Sequence, residues 1–275
     1  MTTLLLPLVS TGNVPQLSTD LLLHSLSPRF KFVQELTSLH LYPFVGPLDH
    51  VPGQKAALYD SVTDKRYTTA LELFYDQQRD LYVVQQRSPV LQHYENNFCK
   101  EVVAPLVKQL RVQHVIVLDS TEGVEEALAR RNLPDPTSYR YSVGTCDLSE
   151  FENVAQEFQD RLHIDEKSNT SLNTTLFRFS ETSFQNGITT EQFVFKLCYH
   201  LTHAASLHAV LTKITYVNVL VQEGDNSEDA AAACQNLHRL APEIPSVSEL
   251  HAPASWSGVY GVRDAPTAFD EGLYI

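Results

Sequence analysis

The sequence predicts an α/β fold: one elaborated domain with a central mixed or parallel sheet flanked by helices, followed by an extended C-terminal tail. Three observations lead there. Strand-like and helix-like segments alternate over residues 1–240, the order expected of α/β proteins. Two runs, residues 114–119 and 214–221, are apolar without alternation, as parallel strands covered on both faces are. Helical stripes, with apolar residues three or four apart, flank both runs. Hydrophobic residues make up 43% of the 275 and charged residues 19%, enough for a core that needs no disulfide or metal.

Taken in order, residues 4–9 read as a buried strand. Gly12-Asn13-Val14-Pro15 turns the chain into a helix, with Asn13 as the N-cap and a proline in the first turn, where a missing N–H forfeits no bond. Leu17, Leu21 and either Leu22 or His24 share its apolar face. Residues 30–36 form a second strand, and residues 42–55, with three prolines and two glycines, a loop. Residues 67–75 and 81–86 pair as strands across residues 76–80. Leu91, Tyr94, Phe98, Val102, Leu106 and Leu110 make one stripe on a long helix that Pro105 kinks or shortens. The strand at residues 114–119 follows. Asp147 and Glu150 form a capping box ahead of a helix carrying Leu148, Phe151, Val154, Phe158 and Leu162. Residues 163–190 are a polar surface excursion with a strand candidate at 175–179. Thr189 and Gln192 cap a helix reaching about Leu211, and the strand at 214–221 comes next. Asp225 and Glu228 cap a last helix ending at Leu240. Prolines 242, 245, 253 and 266 then exclude long helices, so residues 241–275 are an extended segment and tail.

Charge and cysteine content narrow the function. Twenty basic against 33 acidic residues leave a net charge of −13, which disfavours nucleic acid and anionic membrane surfaces and leaves protein partners open. Cys99, Cys146, Cys198 and Cys234 include no Cys-x-x-Cys pair, so no zinc, redox or disulfide framework is expected. The apolar start lacks a basic region and is broken by Pro7, which suits a strand better than a signal peptide. No apolar run approaches the ~20 residues of a membrane helix. A hydrolase nucleophile elbow and both glycine-rich phosphate loops are missing from the sequence. No catalytic residue, metal or cofactor is therefore assigned.

Weaker candidates remain. His200, His203 and His208 fall in one predicted helix, but no carboxylate completes a zinc set, so they read as surface or half-buried histidines. Glu223-Gly224-Asp225-Asn226 sits where ligands collect in open α/β sheets, past a strand and before a helix. Its two carboxylates suit acid–base work. The simpler account is structural: Gly224 makes the turn and Asp225 caps the helix. Arg87-Ser88 and Asp119-Ser120 occupy similar strand ends. Trp256, the single tryptophan, reads as an anchor for the proline-rich segment. The chain ends Leu273-Tyr274-Ile275 after the polar Asp270-Glu271-Gly272. Such an ending offers an apolar side chain, an aromatic ring with a hydroxyl, and a terminal carboxylate to a receptive pocket. The alternative is a tail folded back on its own domain.

These motifs, in this order, resemble the subunits of the heterodimeric proteasome assembly chaperone. The resemblance rests on Leu4-Leu5-Leu6-Pro7 with Val9-Ser10 and Gly12-Asn13-Val14, on Val83, Gln85 and Arg87-Ser88, on the strand 115–118, on Glu223-Gly224-Asp225-Asn226, on Pro253 with Ser255-Trp256, and on the final hydrophobic–Tyr–any triplet. Residues 122–188 depart from the family pattern, and nothing is carried over there. The resemblance implies a non-enzymatic chaperone with a nucleoside-phosphorylase-like α/β sandwich and no cofactor. It implies pairing with a related subunit, proteasome assembly chaperone 1, and binding to 20S proteasome α-subunits on the outer face of the α-ring. Leu273, Tyr274 and Ile275 would fill a pocket between α-subunits, promoting α-ring formation and blocking premature activator binding. Gly12 and Asn13 would be a structural turn. Cytoplasm and nucleus are the expected compartments. Two rivals stand beside this reading: a phosphorylase-like enzyme using Glu223, Asp225 or Arg87, and a generic adaptor with a carboxylate-terminal docking tail.

Overall fold

Every residue from Thr3 to Pro7 is buried, and Leu4 and Leu5 are wholly so. A strand apolar on both faces belongs inside a sheet with helices above and below. The computed structural model of the chain, which describes residues 1–123, 140–148, 192–204 and 206–258, has that architecture. Its strands are β1 (Thr3–Pro7), β2 (Lys31–Glu35), β3 (Val45–Pro47), β4 (Tyr67–Thr69), β5 (Leu71–Asp76), β6 (Leu81–Gln86), β7 (His114–Glu122), β8 (Tyr141–Asp147) and β9 (Lys213–Val221). Its helices are α1 (Val14–Ser25), α2 (Glu95–Phe98), α3 (Ala104–Gln109), α4 (Phe193–His203) and α5 (Ser227–Leu240). Among the described residues seven strands form one mixed sheet in the order β2-β5-β6-β1-β7-β9-β8. The core β6-β1-β7-β9 is parallel. β5 and β2 on one side and β8 on the other join antiparallel.

Alternation along the strands sorts side chains into two layers. Leu4, Leu6, Val115, Val117 and Ile214 pack with Phe98, Leu106, Leu197 and Leu201 of α2, α3 and α4. Leu5, Ile116, Leu118, Val217 and Val219 pack with Leu21 and Leu22 of α1 and with Ala233 and Leu237 of α5. On this second face α1 and α5 lie together, where the Ser18 hydroxyl donates to the Ala230 carbonyl at 3.1 Å. The segment after α5 adds Ile244 and Val247 to the same layer.

Five elements differ from the sequence reading. Asn13 does not cap α1 through its side chain; it is a left-handed residue, φ 53°, and the entry is made by backbone geometry. The loop at 42–55 contains β3, which pairs with β4, so the expected strand 67–75 divides between a small two-stranded ribbon and the main sheet. The expected long helix starts at Glu95 and is interrupted by a π turn, Cys99–Val103, directly before Pro105. A proline cannot supply an N–H to the preceding turn, and a locally wider turn absorbs the break. α4 ends at His203, because Ala204 is extended, so His208 lies off the helix. Periodicity ran on to Leu211 only because the following turns also bury Leu207 and Leu211. Finally, β8 was not anticipated: Ser142, Gly144 and Thr145 dilute its apolar pattern, and pairing with β9 buries it. The capping box at Glu150, the helix after it, the excursion at 163–190 and the Thr189 cap lie outside the described residues.

Leu4 sits between β6 and β7 with no exposed surface. Leu4→Ala is expected to lower unfolding free energy by about 2–5 kcal/mol, read as a shift of the urea midpoint at constant slope.

Candidate functional site

The parallel strands end at one edge of the sheet, and the sequence-predicted motifs gather there. After β1, Ser10 meets Ser120 of β7: the two hydroxyls lie 2.8 Å apart, and Ser120 N–H donates to Ser10 Oγ at 3.0 Å. The Ser120 hydroxyl also donates to the Thr11 carbonyl at 2.6 Å. Asp119 accepts from the Tyr216 hydroxyl of β9 at 2.9 Å and from Ser120 N–H at 2.8 Å. Burial raises the Asp119 carboxyl above its ordinary range, while these donors act against it. Asp119-Ser120 is thus a cross-strand tie of hydroxyl, carboxylate and backbone, and among the described residues no imidazole or amine bonds to either serine hydroxyl.

Gly12 (φ 65°) and Asn13 make the turn into α1. Here glycine is required twice over: the left-handed angle disfavours a side chain, and a Cβ would stand 2.3 Å from Asn226 Nδ2. Asn226 is 2% exposed and donates to the Gly224 carbonyl at 2.8 Å. Two motifs far apart in sequence therefore close on each other. Gly224 has φ 148°, and Asp225 accepts from Ser227 N–H at 3.0 Å. That bond holds the Asp225 carboxyl below its ordinary value. The residue flanking α5 is Asn226, so Asp225 serves the first helical N–H from one position earlier than a standard cap. Glu223 and Asp225 are both exposed.

Arg87, past the end of β6, faces Asp20 of α1 at 3.4 Å. The same carboxylate accepts from Gln85 Nε2 at 2.5 Å and from Trp256 Nε1 at 3.4 Å. Ser88 donates to the Tyr42 carbonyl at 2.7 Å. Next to this cluster Asp49 accepts from the Ser255 hydroxyl at 2.5 Å and from Ser255 N–H at 3.2 Å. Ala254 N–H donates to the His50 carbonyl at 2.7 Å and His251 N–H to Ser25 Oγ at 2.8 Å. With its ring packed on the α1–α5 layer, Trp256 pins the C-terminal segment to the body. Sequence reasoning had the anchor but missed its partners Asp20 and Asp49, for which no local pattern exists. Burial lifts Asp20 to about 6, with Arg87 opposing and Asp49 adding to the rise. Burial pushes His24, one turn further along α1, down to about 4. Leu273, Tyr274 and Ile275 lie outside the described residues. Among those described, no group of three or more histidine, cysteine or acidic side chains is placed to hold a metal, and all four cysteines are free thiols.

Comparison with known proteins adds the following. Residues 4–241 match the model of the PAC2 family. The chain is 34% identical over 272 residues to proteasome assembly chaperone 2 of Saccharomyces cerevisiae, covering 98% of each. It is 32% identical over 136 residues to the Nematostella vectensis protein of the same name, 46% of this chain and 49% of that one. Among solved structures, Pyrococcus furiosus PbaA, described as an archaeal homolog of proteasome-assembly chaperone, aligns with TM-score 0.49 and 14% identity over 90% of this chain and 83% of that one. A PAC2 family protein from Streptomyces avermitilis aligns with TM-score 0.46 and 15% identity over 97% and 98%.

Two outcomes follow from the edge geometry. Gly12→Ala forces both the φ and the Asn226 contact, and is expected to destabilise by about 1–3 kcal/mol, partly recovered when Asn226→Ala is added. The second concerns pH. A carboxyl raised by burial lets the folded chain bind its proton first, so Asp20 adds stability as pH falls through about 6 towards its ordinary 3.8. His24 is depressed, so the unfolded chain binds that proton first and stability is lost as pH falls from 6.5 towards 4. Asp20→Asn removes only the first contribution. Its stability relative to the native chain should fall by about 2 kcal/mol from about pH 7.5 to about pH 4.5, measured by urea unfolding at each pH.

Proposed function

The chain belongs to the PAC2 family, and on that footing we propose that it is a proteasome assembly chaperone. The observation that carries this reading is the 34% identity, over 98% of both chains, to the yeast protein of that name. In this reading the chain pairs with a related subunit, proteasome assembly chaperone 1, and the pair sits on the outer face of the 20S α-ring. The body provides the platform. Leu273, Tyr274 and Ile275 enter a pocket between α-subunits, where the terminal carboxylate meets a lysine, Tyr274 adds apolar area with a hydroxyl, and Leu273 fills an adjoining recess. Occupying that pocket favours a correct α-ring and keeps activators out until assembly is complete. The cytoplasm and nucleus are the compartments where this work is done.

A non-enzymatic role accords with the strand-end edge. Ser10, Asp119 and Ser120 bond to one another and to backbone, Arg87 serves Asp20, and Asp225 serves the start of α5. A chain of net charge −13 suits a partner surface rich in lysine.

Removal of residues 273–275 is expected to abolish or sharply weaken co-purification with α-ring intermediates while the chaperone pair stays intact. Unchanged association would take the tail out of the mechanism. Association of the full-length pair should also weaken as salt is raised through the range where the Debye length drops from ~10 Å to ~3 Å.

A further inference from the structure

An open groove of about 450 Å³ lies between α3 and α4, on the face of the sheet opposite the Trp256 anchor. Lys100 of the π turn and Lys108 of α3 line one side, His200 and His203 of α4 the other, and Ala104 and Pro105 give apolar surface. Among the described residues no carboxylate lines it. Those nearby are already engaged: Glu95 pairs with Lys196 at 3.4 Å and Glu101 with His40 at 2.9 Å. Lys100 and Lys108 are exposed, and among the described residues neither makes an ion pair. Burial first, then the neighbouring Lys100 and His203, hold the His200 pKa below its ordinary value. A concave site whose charged side chains, among the described residues, are lysines is the opposite of what a net charge of −13 leads one to expect.

Each group has a bland role that must be set against this. His200 and His203 are in the last turn of α4, where cations offset the partial charge of the free carbonyls. The His200 ring bonds Asn96 Oδ1 at 3.0 Å, and His203 stacks on Tyr199 with centroids 4.1 Å apart. The two lysines have no such account. Lys100 moreover stands on the π turn, a departure from α geometry that recurs at functional sites. The lysines therefore dominate the field in the groove, and the histidines shape it.

The lining also selects the ligand. Phosphate is held best by converging backbone N–H groups at a helix start. Here the lining comes from helix flanks and from the C-terminal end of α4, where N–H groups are already bonded, and Pro105 has none. Side-chain cations around an apolar patch suit carboxylates carried beside an apolar residue. We infer that this groove binds a short acidic segment of a partner protein, its carboxylates against Lys100 and Lys108 and an apolar side chain against Ala104 and Pro105. This site is separate from the C-terminal tail, and its test contains no proteasome, so each reading can fail alone.

The test uses the full-length chain and follows the His200 and His203 ring resonances by NMR, assigned through His200→Asn and His203→Asn. The probe is a short capped peptide of glutamates around one leucine, titrated at constant ionic strength beside its glutamine analogue and inorganic phosphate. Saturable shifts of both rings with the glutamate peptide alone are expected. Affinity should be about tenfold weaker in the Lys100→Glu, Lys108→Glu double variant, with the unfolding midpoint unchanged. A Lys→Gln pair should give an intermediate loss. Absence of shifts, equal response to the glutamine analogue, indifference to the lysine changes, or phosphate binding as tightly as the peptide would each overturn the proposal.

Discussion

Two-sided burial of β1 is the constraint on which the rest of the molecule depends. Leu4, Leu5 and Leu6 leave no polar face, so β1 must lie inside the sheet and both layers of helices must form to cover it. Its parallel neighbours β6 and β7 then need crossover connections, and those crossovers supply α1, α2 and α3. Parallel strands also end together. The edge where Ser10, Arg87, Ser120 and Glu223 emerge is a by-product of burying three leucines, and it explains why unrelated sequence motifs share one place. What the edge does is decided by its hydrogen bonds. Here they tie strand to strand and turn to helix.

The legible parts of the sequence were those whose burial is local in origin. The runs at 114–119 and 214–221 announce themselves because both faces are covered along their whole length. α5 shows equally well, with its acidic first turn and its stripe of Ala230, Ala233, Cys234 and Leu237. β8 was hard to read because only Tyr141 and Val143 alternate as apolar residues before Gly144, Thr145 and Asp147 blur the pattern, and Ser142, 1% exposed, is buried in a strand paired with β9. Pro105 signalled an interruption without showing that it would be a widened turn. The contacts of Gly12 with Asn226 and of Asp20 with Trp256, the latter pair 236 residues apart, are products of topology and leave no mark in local sequence.

The charge balance conceals two arrangements of opposite kind. Several carboxylates are buried and matched: Glu72 meets Lys65 at 2.7 Å and the Tyr59 hydroxyl at 2.8 Å, and Asp76 meets Arg29 at 2.6 Å. Such pairs break roughly even on stability but hold one geometry, because losing a partner strands a buried charge. They engage cations that would otherwise soften the acidic exterior. Lys100 and Lys108 are the counter-case: among the described residues neither makes an ion pair, and no described carboxylate lines their groove. A single net charge averages over both. The useful quantity is the local imbalance, negative over most of the chain and positive between α3 and α4.

The Trp256 anchor bears on the tail in a way that magnitudes decide. If the anchor lay at residue 241 rather than at Trp256, the length of chain between it and Leu273 would roughly double. Effective concentration falls only as about the −3/2 power of tether length, so release would change it by about two- to threefold. That is too little to explain five backbone or side-chain bonds at His251, Ala254, Ser255 and Trp256. Direction is the larger effect. Bonds to Asp20 and Asp49 hold Ser255 and Trp256 beside α1 at the strand-end edge, on the face opposite the basic groove. A partner that touched this anchor and the groove together would have to reach round both faces of the sheet, which a large protein surface can do and a small ligand cannot.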